Sequence, residues 1–495
     1  MAKQIESKQV IVDETVTEVR VPEATLELRT TEPVVAHLQA APPPIPIPVP
    51  IPIPLLVGSR VMIWKQDPTV AALGRRLAFL PGLIANGPQD TRAETSLPGT
   101  TPVVRNVNGD FIFPTFSAES DCVHTYSVVV MALRMWQQSL AGQAIPWAWN
   151  TGGNTQRITV KPRGFNGANA FYSRSGRELS FGFFTPQGSP GQVFTCRSLD
   201  ITAHEAGHAI LDGLRPGWLG VGNVPQTGGL HESFGDLTAV FLALAQFDQV
   251  EAFIALSKGN LHDANFLAAV AEEFGAALGR PAGLRNADND LKLSQVANQV
   301  HALSQIFTGA IYDILADIFV HERIKQAGKK DLAQILFEVA QHLRRLLLQA
   351  ILAAPASGAT FADVANEMIK KSKAQGDPLI YRTFIKNRFT VREVVVTATP
   401  LAEVVRAIGV TDYGDSASAS PDGDDTELQA TNHISVVEGV PQDRAGTCGT
   451  MQLPEYARPQ RVLSAELKQL ATGAEIDSDE AVLATDVKEL QKAFA

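Results

Sequence analysis

The sequence predicts an α+β protein whose β-rich N-terminal part precedes a helical C-terminal part. Three observations carry this reading. Strand-like runs occupy 158–161 and 178–184, helical periodicity takes over from residue 201 to about 389, and the character changes again after about residue 397. A chain of 495 residues is long enough for two or more units that each bury a core.

Four segments follow from the composition. Residues 1–57 form an extension in which 8–40, rich in Val, Thr and Glu, reads as short strands. Residues 42–54 then place proline at every second position, which forbids a helix and strips one strand edge of its N–H groups. This is a polyproline arm: either a stiff spacer, or an Ile/Val stripe that docks into a groove of the same protein. Residues 58–225 are mixed, with a helix over 127–140 followed by the two strand-like runs. Helical patterns cover 201–214, 231–247, 264–278, 301–324, 330–353 and 360–373, so 226–395 reads as a helical lobe. In 396–495, the acidic, apolar-poor stretch 412–427 reads as disordered, and 479–494 as a short amphipathic helix behind Ser478.

Composition excludes several function classes. The net charge is −10, which argues against nucleic acid or an anionic membrane as partner. No run of eighteen apolar residues free of breakers suggests a membrane span. The first residues lack the apolar core of a secretory signal, so a cytoplasmic location or export by a signal-independent route is expected. Three cysteines (Cys122, Cys196 and Cys448) are too few for a disulfide framework.

Residues 203–209 read Ala-His-Glu-Ala-Gly-His-Ala inside a helical pattern. Two histidines four apart share one helix face, a turn apart, so His204 and His208 can converge on one zinc ion. Glu205 projects beside such a site, where it can take a proton from water that the metal activates. Downstream, Glu232 opens the next helical pattern and is a suitable third ligand. Asp236 lies one turn on along the same face, placed to accept a hydrogen bond from a ligand imidazole. His231 is a rival ligand; Glu232 is preferred because only it places an aspartate four residues on. The alternative for Glu232 and Asp236 is favourable charge in a helix's first turn. An aspartate beside the apolar run after Leu237 argues against that.

These residues resemble the thermolysin-like metallopeptidases, or gluzincins, which carry His-Glu-x-x-His and then Glu-x-x-x-Asp on the next helix. The resemblance extends over roughly 120–395. Asn169-Ala170-Phe171-Tyr172 is similar to the family's edge strand, which binds the substrate backbone through the asparagine side chain and the alanine main chain. Val300-His301-Ala302-Leu303-Ser304-Gln305-Ile306 resembles the segment whose histidine stabilises the oxyanion. Leu284-Arg285-Asn286 matches the family's substrate-carbonyl arginine; a surface arginine is the alternative. The resemblance implies a two-lobed catalytic domain, with the zinc helix between a β-rich and a helical lobe. It also implies cleavage of a peptide or protein substrate by a zinc endopeptidase, with Glu205 and His301 as its catalytic residues.

The sequence also departs from the family. No tyrosine lies between His208 and Glu232, and no acidic residue precedes His301 at the family's spacing, which leaves open what orients its ring; Asp288 and Asp290 are candidates. Asp200 matches a calcium ligand, but the run around Ala243, where a second acid is expected, is apolar, which counts against the structural calcium sites. Two rival readings remain open. One is a catalytically silent scaffold; the other is a latent peptidase whose arm or tail covers the cleft, with Cys448 capping zinc.

Overall fold

The computed structural model describes residues 57–395, except 71, 98–101, 151–155, 221 and 281–282, together with residues 447–448. The expected strands at 8–40, the polyproline arm, the acidic stretch 412–427 and the helix at 479–494 lie outside the described residues. The described residues all belong to one compact unit.

Alternating burial opens the described chain. β1 (Gly58–Trp64) buries Val61 and Ile63 and pairs antiparallel with β2 (Arg75–Pro81), which buries Leu80. Strand β3 (Ala93–Thr95) leads to α1 (Ala118–Ser139), capped by Ser117. β4 (Ile158–Asn166), β5 (Ala170–Ser173), β6 (Glu178–Phe184) and β7 (Val193–Phe194) follow. In the main sheet β3, β4 and β6 run parallel to one another, while β5 and β7 pair antiparallel with β6. The buried faces of β4, β5 and β6 carry Ile158, Val160, Ala170, Tyr172, Leu179 and Phe181.

The rest is mostly helix: α2 (Leu199–Leu214), α3 (Pro225–Leu244) and α4 (Phe247–Ser257). A short pair, β8 (Ala269–Val270) with β9 (Arg285–Asn286), brackets α5 (Glu272–Ala277). Then come α6 (Val300–Lys325), α7 (Leu332–Ala353), α8 (Phe361–Ala374) and α9 (Leu379–Val391). The last described strand, β10 (Thr447–Cys448), adds to β5. The α+β arrangement with a helical C-terminal region is therefore as the sequence indicated. α6 is long and apolar enough to cross a membrane, but its apolar window is 94% buried within the protein, as for a core helix.

The helix expected at 264–278 is a correction: only Glu272–Ala277 is helical, and 269–270 is strand. Its apolar residues satisfied a helical spacing, but pairing with β9 decided the backbone. The helix expected to begin at 231 begins at Pro225. Gly228 and Gly229 sit in α3 where α6 and α8 come too close for a side chain. A Cβ on Gly228 would stand 2.5 Å from Val300 Cγ1, and one on Gly229 would stand 2.9 Å from Phe361 Cζ.

A buried charge cluster ties the sheet to the start of α2. Asp121 of α1 accepts from Arg197 Nε at 2.9 Å and from Arg163 Nη2 on β4 at 2.6 Å. Arg197 immediately precedes Ser198, the N-cap of α2. Replacing Asp121 with Ala leaves two cations facing each other with their partner removed. The change lowers unfolding stability by about 3–5 kcal/mol, measured by denaturant titration.

Candidate metal centre

Two glycines set how near the site-bearing helices stand. A Cβ on Gly207 of α2 would lie 2.7 Å from Thr238 Oγ1 and 3.0 Å from Gly235 Cα. One on Gly235 of α3 would lie 2.6 Å from His204 Nδ1. Side-chain-free positions on both helices therefore let α2 and α3 touch where the histidines project.

His204 and His208 are fully buried, with their Nε2 atoms 2.9 Å apart. Glu232 reaches them from α3, Oε2 standing 3.5 Å from His204 Nε2 and Oε1 3.6 Å from His208 Nε2. All three ligand atoms lie within 4.8 Å of one another. Donors on one tetrahedral zinc stand roughly 3.3 Å apart, given bonds of about 2.0–2.1 Å, so these spacings and this donor set fit such an ion. Glu232 does not open its helix as expected. It is well inside α3, which removes the reading of Glu232 and Asp236 as first-turn charges.

The outer nitrogens of both imidazoles are engaged. His204 Nδ1 lies 2.9 Å from Asp236 Oδ1 and donates to it, leaving Nε2 free to face the site. Arg285 holds Asp236 from the other side, with Nε at 3.0 Å and Nη2 at 2.6 Å. It is 3% exposed, so the surface-arginine reading does not hold. His208 Nδ1 stands 2.8 Å from His231 Nδ1. His231, weighed in the sequence only as a rival ligand, is instead the residue that orients one. Its signal was its place beside Glu232 on the helix that faces α2.

His301, in the first turn of α6, brings Nε2 to 3.5 Å from Glu232 Oε2. Neither Asp288 nor Asp290 orients it as expected: Asp288 pairs with His262 at 2.8 Å, and Asp290 acts on Arg388. Gln299, the N-cap of α6, takes that place. Its Oε1 accepts the Ala302 N–H at 2.9 Å, which turns its Nε2 to donate to His301 Nδ1 at 2.6 Å. Neutral His301 then carries its proton on Nε2, towards the cluster. An amide in place of an acid was not legible, because Gln299 looks like an ordinary cap.

Charge is distributed unevenly over the site. Burial pushes the Glu205 carboxyl well above its usual range, and neither of its oxygens has a hydrogen-bond partner among the described residues. The backbone amide of Tyr172 lies where it favours the ionised form. Burial acts in the same direction on Glu232, but His301, His208 and His204 outweigh it and hold that carboxylate well below its usual range. Burial drives His208 well below the usual histidine range and His231 down to about 4. For His204, burial is outweighed by its hydrogen bonds to Asp236 and Glu232, which raise it to about 9.

The strand beside the cluster is β5. Asn169 is half-exposed and its Oδ1 accepts the Ala170 N–H at 2.9 Å. Tyr172 donates its hydroxyl to Asp212 of α2 at 2.6 Å, and Arg174 Nε reaches the same carboxylate oxygen at 2.7 Å. The strand is thereby fixed to the helix that carries both histidines.

Other groups also draw acids together. Asp200 has no acidic neighbour from the Ala243 region. Asp67, after β1, and Glu272, at the start of α5, take that place, with ligand oxygens within 4.8 Å of one another. Gln66 Nε2 bonds Asp200 Oδ1 at 2.9 Å, while Asp67 Oδ1 and Glu272 Oε2 have no partner among the described residues. In a third group, His262, Asp288 and Asp313, Asp313 is already bound by Arg392 at 2.8 Å. Cys122 and Cys196 are free and buried, and burial pushes the Cys122 thiol up to about 12.

The sequence matches no protein-family model and has no significant match to a curated protein, so function is argued from the site itself.

Two outcomes follow from this geometry. Gly235→Ala drives a methyl into the His204 ring and lowers the affinity of this cluster for a divalent metal by about 10–100-fold, measured by competition with a chelating dye. The second concerns pH. Burial raises Asp67 to about 6, Glu273 to about 7 and Glu272 to about 9, all above the unfolded values of about 4. The folded chain then holds protons that the unfolded chain has released, so this stability is complete at low pH and is lost as pH rises through these values. In chelator, the melting temperature falls between pH 5 and pH 9, and Asp67→Asn flattens that slope.

Proposed function

We propose that this chain is a zinc-dependent endopeptidase with the two-lobed architecture of the thermolysin-like gluzincins. One observation carries the reading: His204, His208 and Glu232 converge in space, next to a buried, unpartnered Glu205 from the same helix. A silent scaffold has no use for Glu205, whose burial without a partner is costly.

His204, His208 and Glu232 would hold the zinc. When bound, it supplies a Lewis acid that polarises the scissile carbonyl and activates water at neutral pH. The chain's own groups do the rest. Glu205 removes a proton from the attacking water and delivers it to the amine nitrogen as the C–N bond breaks. His301 directs its Nε2–H at the oxygen that gains negative charge. Asn169 and Ala170 hold the substrate extended along β5. Arg285 keeps Asp236 charged and aligned on His204, and its position beside the cluster suits contact with a substrate carbonyl.

Elemental analysis of the purified chain should find one zinc per molecule, and a quenched peptide should be cut in a chelator-sensitive reaction. Glu205→Gln should retain the metal and lose at least ~100-fold in kcat. His301→Ala should lose about 10²–10³-fold, also with zinc retained. A protein without zinc, or one whose Glu205→Gln variant cuts at the parent rate, would sink the proposal.

A further inference from the structure

One edge of β5 is taken by β6; β10 lies along the other. Thr447 stands opposite Ser173 and Cys448 opposite Tyr172, in an antiparallel pair. Tyr172 is the residue whose backbone amide faces Glu205 and whose hydroxyl is bonded to Asp212 of the histidine-bearing helix. The tail strand therefore pairs with the residue whose backbone amide acts on the candidate general base. It lies along the edge on which an extended peptide has to add.

A strand edge offers each outward N–H and C=O once, so two chains cannot pair with it at the same residues. We infer that the strand Thr447–Cys448 is a built-in competitor for peptide substrates, seated on the β5 edge and displaced when a substrate binds. This rests on the peptidase reading above. Among the described residues the tail forms two pairs with β5, so a longer extended peptide can outcompete them. A weak strand still competes, because tethering gives it an effective concentration of about a millimolar. Competition of this kind raises KM and leaves kcat unchanged. Backbone pairing is the agent, so the identity of the side chain at 448 is immaterial.

The test uses the full-length, zinc-loaded chain and three single variants. Thr447→Pro and Cys448→Pro each remove a backbone N–H and its ladder geometry from the tail, without touching the catalytic domain. Cys448→Ser keeps the backbone and removes only the thiol. With a quenched peptide, at least one proline variant should lower KM by roughly fivefold at unchanged kcat. In that variant, hydrogen exchange at residues 170–173 should also rise. Cys448→Ser should match the parent. If parent and proline variants cut with the same KM, the inference fails and the peptidase reading stands. If Cys448→Ser alone reproduces the gain, the thiol rather than the strand is the inhibitor, and the inference fails again. If no protein cuts any peptide, the peptidase reading fails and takes the inference with it.

Discussion

The metal centre depends on how near α2 can come to α3. At Gly207 and Gly235 the two backbones approach so closely that a single methyl at Gly235 would overlap the His204 ring. This approach puts Glu232 between two imidazoles and Asp236 behind one of them. A helix pair held a side chain's width further apart would keep every residue of the motif and lose the cluster. The constraint is steric and local, but its effect is to bring together residues from separate parts of the chain.

Buried without solvent, the same small space drives two glutamates in opposite directions. Glu232 is surrounded by three histidines and stays charged, as a ligand must. For Glu205, one residue after a histidine and without a hydrogen-bond partner among the described residues, burial pushes the carboxyl well above its usual range. This division of roles between two carboxylates arises from their surroundings and not from residue type. The supporting residues follow the same logic: Asp236, His231 and Gln299 each engage the outer nitrogen of a histidine, so that the inner nitrogen faces the cluster. One is an acid, one an imidazole and one an amide.

The sheet contributes through a single strand. Asp212 of α2 accepts from both Tyr172 and Arg174, which ties β5 to the helix that carries the histidines. Asp121 performs the matching task at the start of α2, joining α1, β4 and the residue before the helix. The strand edge and the histidine-bearing helix are therefore tied together by side-chain hydrogen bonds.

Much of this was legible along the chain, because it follows from short-range periodicity. The spacing of His204 and His208 put both on one helix face, Asp236 followed Glu232 by one turn, and the long apolar periods marked α2, α3, α6, α7 and α8. The start of α3 and a short apolar run misled, since Gly228 and Gly229 lie within α3 against α6 and α8, and 264–278 suits a helix until β9 pairs with it. Gln299 and His231 were missed in their roles for a related reason: what a cap or a buried histidine touches is settled by another element. By itself, then, the sequence determined the candidate ligands and the helices that bear them, through spacings of three and four residues. Only the tertiary structure decided which residues orient those ligands, which acids surround Asp200 and what lies along β5, because each of these depends on distances between segments remote in sequence.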